Sequence, residues 1–109
     1  MSDGPRVELL WWEGCPSTPA ARGLLEEALA AAGLDPAAIE VRAVTSGEQA
    51  EAEGFIGSPT IRIDGRDVVP PDPAEPTGLA CRVYRLRDGR FSPTPDPADV
   101  REAIARIAG

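Results

Sequence analysis

The chain has 109 residues, a net charge of −7 and a pI near 4.5. That length supports one domain, residues 1–109, with its own core, and the acidic balance excludes nucleic acid and anionic membrane surfaces as partners. The chain has no His, no Lys and no Asn, which removes His-assisted nucleophiles, His-ligated metal sites, Schiff-base lysines and N-glycosylation.

The N-terminal "MSDGPR" is polar and acidic, with no signal-like apolar core, and no apolar run reaches the ~18 residues of a membrane span. A cytoplasmic location is the expectation. In a reducing compartment Cys15 and Cys81 do not form a permanent staple. They are free thiols, a transient redox couple or ligands for a soft metal.

"RVELLWW" (6–12) is an apolar run with one Glu inside it, the pattern of a strand covered on both faces. The following "PSTPAARGLLEEALAAAGL" reads as a helix. Leu24, Leu25, Ala28, Leu29 and Ala32 share a stripe, and Gly33 is its left-handed cap. Pro16 and Pro19 are tolerated only in a first turn, which places the helix start beside Cys15. "AIEVRAVT" (38–45) alternates as a second strand, with Ile39, Val41 and Ala43 on one side. Ser46 caps a short polar helix that closes at Gly54.

"SPTIRIDGRDVV" is a strand with Ile61 and Ile63 inward, then an Asp64-Gly65 turn and a short return strand. "PPDPAEP" (70–76) is an extended loop. "GLACRVYRL-RDG-RFSPTP" predicts a further hairpin about Asp88-Gly89. "DPADVREAIARIA" closes the chain as a helix capped by Asp96, with Pro97 at its first position and Val100, Ala103, Ile104 and Ile107 inward. The order is βαβαββα, with an insertion before the last helix. A right-handed crossover joins the first two strands in parallel, and helices on both faces make an α/β three-layer sandwich.

The chemistry gathers at "EGCPST". A thiol at a helix N-terminus sits near orphan N–H groups and the positive end of the macrodipole. Such placement lowers a thiol pKa from ~8.5 into the range of roughly 3.5–7.5, making thiolate the major species at neutral pH. Thr18, three residues on, shares that face and would offer its hydroxyl to the sulfur. A cysteine can equally be a small buried filler; Gly14 before it and Pro16 after it favour the reactive reading. Cys81 stays open between two readings. It either reaches Cys15 and resolves a mixed disulfide, or packs under a strand while Arg82 pairs with a carboxylate. Trp12, nearer the strand end than Trp11, is placed to border the site, and Glu13 is solvated. Arg82, Arg85, Arg87 and Arg90 read as a charged hairpin face.

The layout resembles the thioredoxin-like superfamily over nearly the whole chain, apart from the 70–95 insertion. Cys15-Pro16-Ser17-Thr18 is similar to its Cys-x-x-Cys site with Thr18 in place of the second cysteine, as in monothiol glutaredoxins. Gly57-Ser58-Pro59-Thr60 resembles the turn carrying its cis-proline. "EGCP", "GSPT" and "GLACRVYR" resemble small bacterial thioredoxin-like proteins of an alkylmercury-lyase-like group. The resemblance implies that Pro59 is cis and lies against Cys15. Ser58 and Thr60 would then offer backbone hydrogen bonds to an extended partner, with Pro16, Ser17, Thr18 and Trp12 around the substrate. The glutathione-binding Gly-rich turn is replaced by "PPDPAEP".

Two functions follow. One is a thiol–disulfide oxidoreductase with Cys15 as nucleophile and Cys81 or an external thiol as resolver. It would act on a protein or small-molecule thiol or disulfide, and no cofactor is expected. The other is binding of a soft ion such as Hg(II) or Cu(I) by Cys15 and Cys81, with carbon–mercury cleavage ranked lower because no acid occupies the position of Thr18. A thioredoxin-fold binding module without turnover is the remaining outcome.

Overall fold

At the centre lies β1 (Val7–Trp11), whose apolar run leaves four of its five residues buried. The computed structural model describes residues 6–35, 39–72 and 74–108. The N-terminal residues 1–5, Ala38 of the second strand, Pro73 of the proline loop and the side chain of Ile107 fall outside what is described.

The protein is mixed α/β. The helices are α1 (Thr18–Ala31), α2 (Gly47–Glu53) and α3 (Pro97–Ala108). The remaining strands are β2 (Ile39–Ala43), β3 (Thr60–Ile63), β4 (Arg66–Asp67), β5 (Tyr84–Arg85) and β6 (Phe91–Ser92). The main sheet has the order β2-β1-β3-β4. β1 runs parallel to β2, with Leu9 opposite Val41, and antiparallel to β3, with Leu9 opposite Ile61. The turn between β3 and β4 holds Asp64 at φ 52° and Gly65 at φ 81°. Two successive positive φ values are what a tight two-residue hairpin demands. The second hairpin forms about Asp88-Gly89, pairing Tyr84 with Ser92 and Arg85 with Phe91.

Alternation along β1 sends Val7 and Leu9 to one face and Leu10 to the other. The first face meets Ala21, Leu25, Ala28 and Leu29 of α1 and Val100, Ala103 and Ile104 of α3. Leu10 joins Val44, Ala50 of α2 and Phe55 on the opposite side. Each fully buried Leu or Ile of these clusters contributes about 1.5–3 kcal/mol. α1 starts at Pro19's turn with Ser17 as its N-cap, and α2 is capped by Ser46, whose Oγ accepts from the Gln49 amide at 3.1 Å.

The alternation expected of β2 does not bury Val41, which is 38% exposed. β2 is an edge strand, and its inward partner is polar. Glu8 of β1 is buried, and Arg42 reaches it at 2.8 Å while holding Glu53 at 2.7 Å. A buried carboxylate needs such a cation, so the ion pair sets the facing of Arg42.

Candidate thiol site

Cys15 lies past the C-terminal end of β1, two residues before the N-cap of α1. The turn into it is held by the Cys15 amide, which donates to the Trp12 carbonyl at 3.1 Å. Gly14 is glycine because the Trp12 ring lies over it: a Cβ there would fall well inside van der Waals contact with the six-membered ring. Trp12 packs against the Leu10 and Phe55 cluster. It lines a small recess with Val44 and Thr45 and is not among the side chains lining the cysteine cleft, beside which it was expected.

Cys81 comes to Cys15 on an extended segment. Alternation over Cys81–Tyr84 points Arg82 and Tyr84 inward and leaves Cys81 and Val83 outward. Ser58 pairs with Cys81 in a parallel bridge: the Ser58 amide donates to the Ala80 carbonyl and the Arg82 amide to the Ser58 carbonyl, both at 2.8 Å. The Cys15 thiol also donates to the Ser58 carbonyl, at 3.4 Å, and Cys81 Sγ lies 4.0 Å from the Gly14 carbonyl. Both cysteines are free; Cys15 is 5% exposed, whereas Cys81 is exposed.

The two thiols line the same cleft, Cys15 from the helix mouth and Cys81 from the segment bridged to Ser58. Burial pushes the Cys15 pKa up, but hydrogen bonds from Cys81, the Ser17 amide and the Ser17 hydroxyl outweigh it, and the net direction is down. The same thiol–thiol bond is the largest cause raising Cys81. Of the two thiols, Cys15 is therefore the one shifted toward the thiolate.

Ser17, with Oγ 3.8 Å from the sulfur, is the hydroxyl beside Cys15. The expected donor, Thr18, has its hydroxyl oxygen buried with no hydrogen-bond partner. Thr18 is the first residue of α1, and its hydroxyl makes no hydrogen bond to the Cys15 sulfur.

The Ser58–Pro59 peptide bond is cis. Ser58, Pro59 and Thr60 are all buried, and none offers its backbone to an external partner as expected. Ser58 is paired with Ala80 and Arg82, while Thr60 pairs with Leu10 in the sheet. The Pro59 carbonyl accepts from the Tyr84 hydroxyl at 2.5 Å.

Arg82 is the bolt of this arrangement. Its guanidinium donates to Asp67 at 2.7 Å, to the Val69 carbonyl at 2.5 Å and to the Thr60 hydroxyl at 3.2 Å. It also lies 4.5 Å from the Tyr84 ring centroid, within cation–π range. The reading of Arg82 as part of a charged hairpin face is therefore overturned. Arg87 and Arg90 do stay at the surface, on Asp99, Glu102 and Asp88.

Outside the thiols, Pro16, Val83, Phe91 and Pro93 line an open apolar cleft of about 340 Å³. Val83 and Phe91 are 68% and 72% exposed. Sequence reasoning did not single out either residue; the β-hairpin pattern placed Phe91 on a strand but held no signal for which face meets Cys15. Among the described residues, no three His, Cys, Asp or Glu side chains gather as a metal cage, and no helix is long and apolar enough to cross a membrane.

No family model, no curated protein and no solved structure matches the chain.

Proposed function

We propose that this chain is a thioredoxin-like thiol–disulfide oxidoreductase in which Cys15 supplies the thiolate and Cys81 resolves the mixed disulfide. The observation that carries the reading is the seating of Ala80–Arg82 on Ser58, which sets Cys81 at one cleft with Cys15, itself bonded to the Ser58 carbonyl; the pKa of Cys15 is shifted down and that of Cys81 up. Two sulfurs that line one cleft are placed to join, and the 80–82 segment holds the second one there. Thiolate formation on the lower-pKa sulfur is the condition for attack at neutral pH. Further support comes from the element order and the mixed sheet, which fit the thioredoxin-like resemblance.

In the reaction, the Cys15 thiolate attacks one sulfur of a disulfide. That bond breaks and the first thiolate leaves. Cys81 then loses its proton and attacks Cys15 Sγ, expelling the second thiolate and closing Cys15–Cys81. The substrate gains two electrons, the cysteine pair loses them, and the two thiol protons pass to the products.

The test is to mix reduced protein with hydroxyethyl disulfide and then alkylate it. Formation of an internal Cys15–Cys81 disulfide, with both sulfurs protected from alkylation, is the expected result. Both thiols remaining alkylatable would refute the reading.

The same adjacency favours a second reading, capture of a thiophilic ion such as Hg(II) between the two sulfurs. Carbon–mercury cleavage is less favoured, because no carboxylate joins the pair among the described residues. Stoichiometric Hg(II) uptake by the wild type that is lost in Cys81→Ala would support capture.

A further inference from the structure

An extended polypeptide that adds to a sheet edge needs free backbone donors and acceptors there. Beside Pro59 those groups are taken. The Ser58 amide and carbonyl are bonded to Ala80 and Arg82 of the same chain, so this segment occupies the place where a polypeptide substrate would pair. It is not lightly held. Arg82 is 8% exposed and Tyr84 3% exposed; one is tied to Asp67, Val69 and Thr60, the other to the Pro59 carbonyl. Lifting the segment would strand all of these buried polar groups together.

What remains open beside both thiols is the cleft. Its floor is formed by Cys15 and Cys81, and its sides by Pro16, Val83, Phe91 and Pro93. At about 340 Å³ it falls at the small end of the ~300–1,000 Å³ typical of ligand pockets. No carboxylate lines it, and the charge of Arg82 is already paired with Asp67. Two large apolar side chains stand exposed at its rim, where an apolar ligand would cover them.

We infer that the substrate of the Cys15–Cys81 pair is a small, uncharged, apolar disulfide that enters between Val83 and Phe91, and not an extended polypeptide. The inference rests on the thiol–disulfide reading above. The substrate's own S–S bond is the oxidant, cleaved to two thiols as the cysteine pair closes.

Single-turnover rates of the reduced protein test this with three probes: dithiodipyridine (uncharged, aromatic), dithiobis(nitrobenzoate) (dianionic, similar in size) and insulin (a polypeptide disulfide). Each rate is divided by that probe's rate with free cysteine. Dithiodipyridine is expected to lead the dianion by roughly tenfold, with insulin at background, and the double variant V83S/F91S to erase most of that preference. Both positions are exposed, so circular dichroism should report an unchanged fold. Insulin reacting as fast as dithiodipyridine, or a preference untouched by V83S/F91S, would overturn the inference while leaving the thiol–disulfide reading intact. If no probe outpaces free cysteine, that reading falls and the inference with it.

Discussion

Gly57 and Arg82 lie against each other so closely that a Cβ on Gly57 would stand 3.1 Å from the Arg82 Cβ and 3.2 Å from its amide nitrogen. The close approach lets the 80–82 segment reach Ser58 and so carries Cys81 to Cys15. Gly57→Ala should force the segment outward by a few tenths of an ångström and cost about 1–3 kcal/mol, as overpacking does. Urea midpoints would show the loss, and Cys81 should then alkylate faster. A variant as stable as the wild type, with unchanged Cys81 reactivity, would mean that the segment is not seated here.

Arg82→Ala removes one partner of a buried ion pair, leaving Asp67 with the Val69 amide but no cation and the Val69 carbonyl without its guanidinium donor. Such a loss costs about 3–5 kcal/mol, a large share of the ~5–15 kcal/mol available to a domain. Arg82→Lys should recover part of it, since an ammonium can meet Asp67 but lacks the fork that also reaches Thr60 and Val69. Thermal melts of the three proteins give the order, and equal melting temperatures for Lys and Ala would contradict it.

Cys81→Ala deletes the hydrogen bond that lowers Cys15, leaving burial opposed by Ser17 alone. The Cys15 pKa should rise, so the pH profile of iodoacetamide alkylation should move to higher pH and the rate at neutral pH should fall. A profile that stays in place would show that the two sulfurs do not share a proton.

Oxidation to Cys15–Cys81 would close a loop between positions 66 apart. The chain-entropy account gives about 4 kcal/mol of stabilisation for a loop of that size. Urea unfolding with and without reductant measures it, and a reduced form at least as stable as the oxidised one would show that closing the bond distorts the corner.

Glu53 accepts from Arg42 at 2.7 and 3.2 Å. That hydrogen bonding is the largest cause holding its pKa below the usual value, against the opposing effect of burial. Because the folded pKa is depressed, the contribution is present above the unfolded pKa of ~4.3 and is lost as the pH falls through the folded value. Glu53→Gln should therefore cost about 1 kcal/mol at neutral pH, and the difference from the wild type should close in acid. A gap independent of pH would assign the loss to packing.

Much of the layout could be read along the chain because the signals are local. Apolar spacing marked α1 and α3, Asp64-Gly65 and Asp88-Gly89 marked both hairpins, and Pro16 with Pro19 put Cys15 at a helix mouth. β2 escaped the simple reading because its alternation does not reveal that the buried neighbour is Glu8, a charge that turns Arg42 inward.

Sequence alone determined that a lone pair of cysteines, without His or Lys, carries whatever thiol chemistry exists here, and that one of them precedes a helix. Only the tertiary structure decided that Cys81 meets Cys15, that Ser17 rather than Thr18 attends the sulfur, and that the edge beside Pro59 is filled by the chain's own Ala80–Arg82. The reason is distance along the chain. Caps, turns and periodicity act over a few residues, whereas the meeting of the thiols depends on Arg82 finding Asp67 and on a missing side chain at Gly57, neither of which any local pattern encodes.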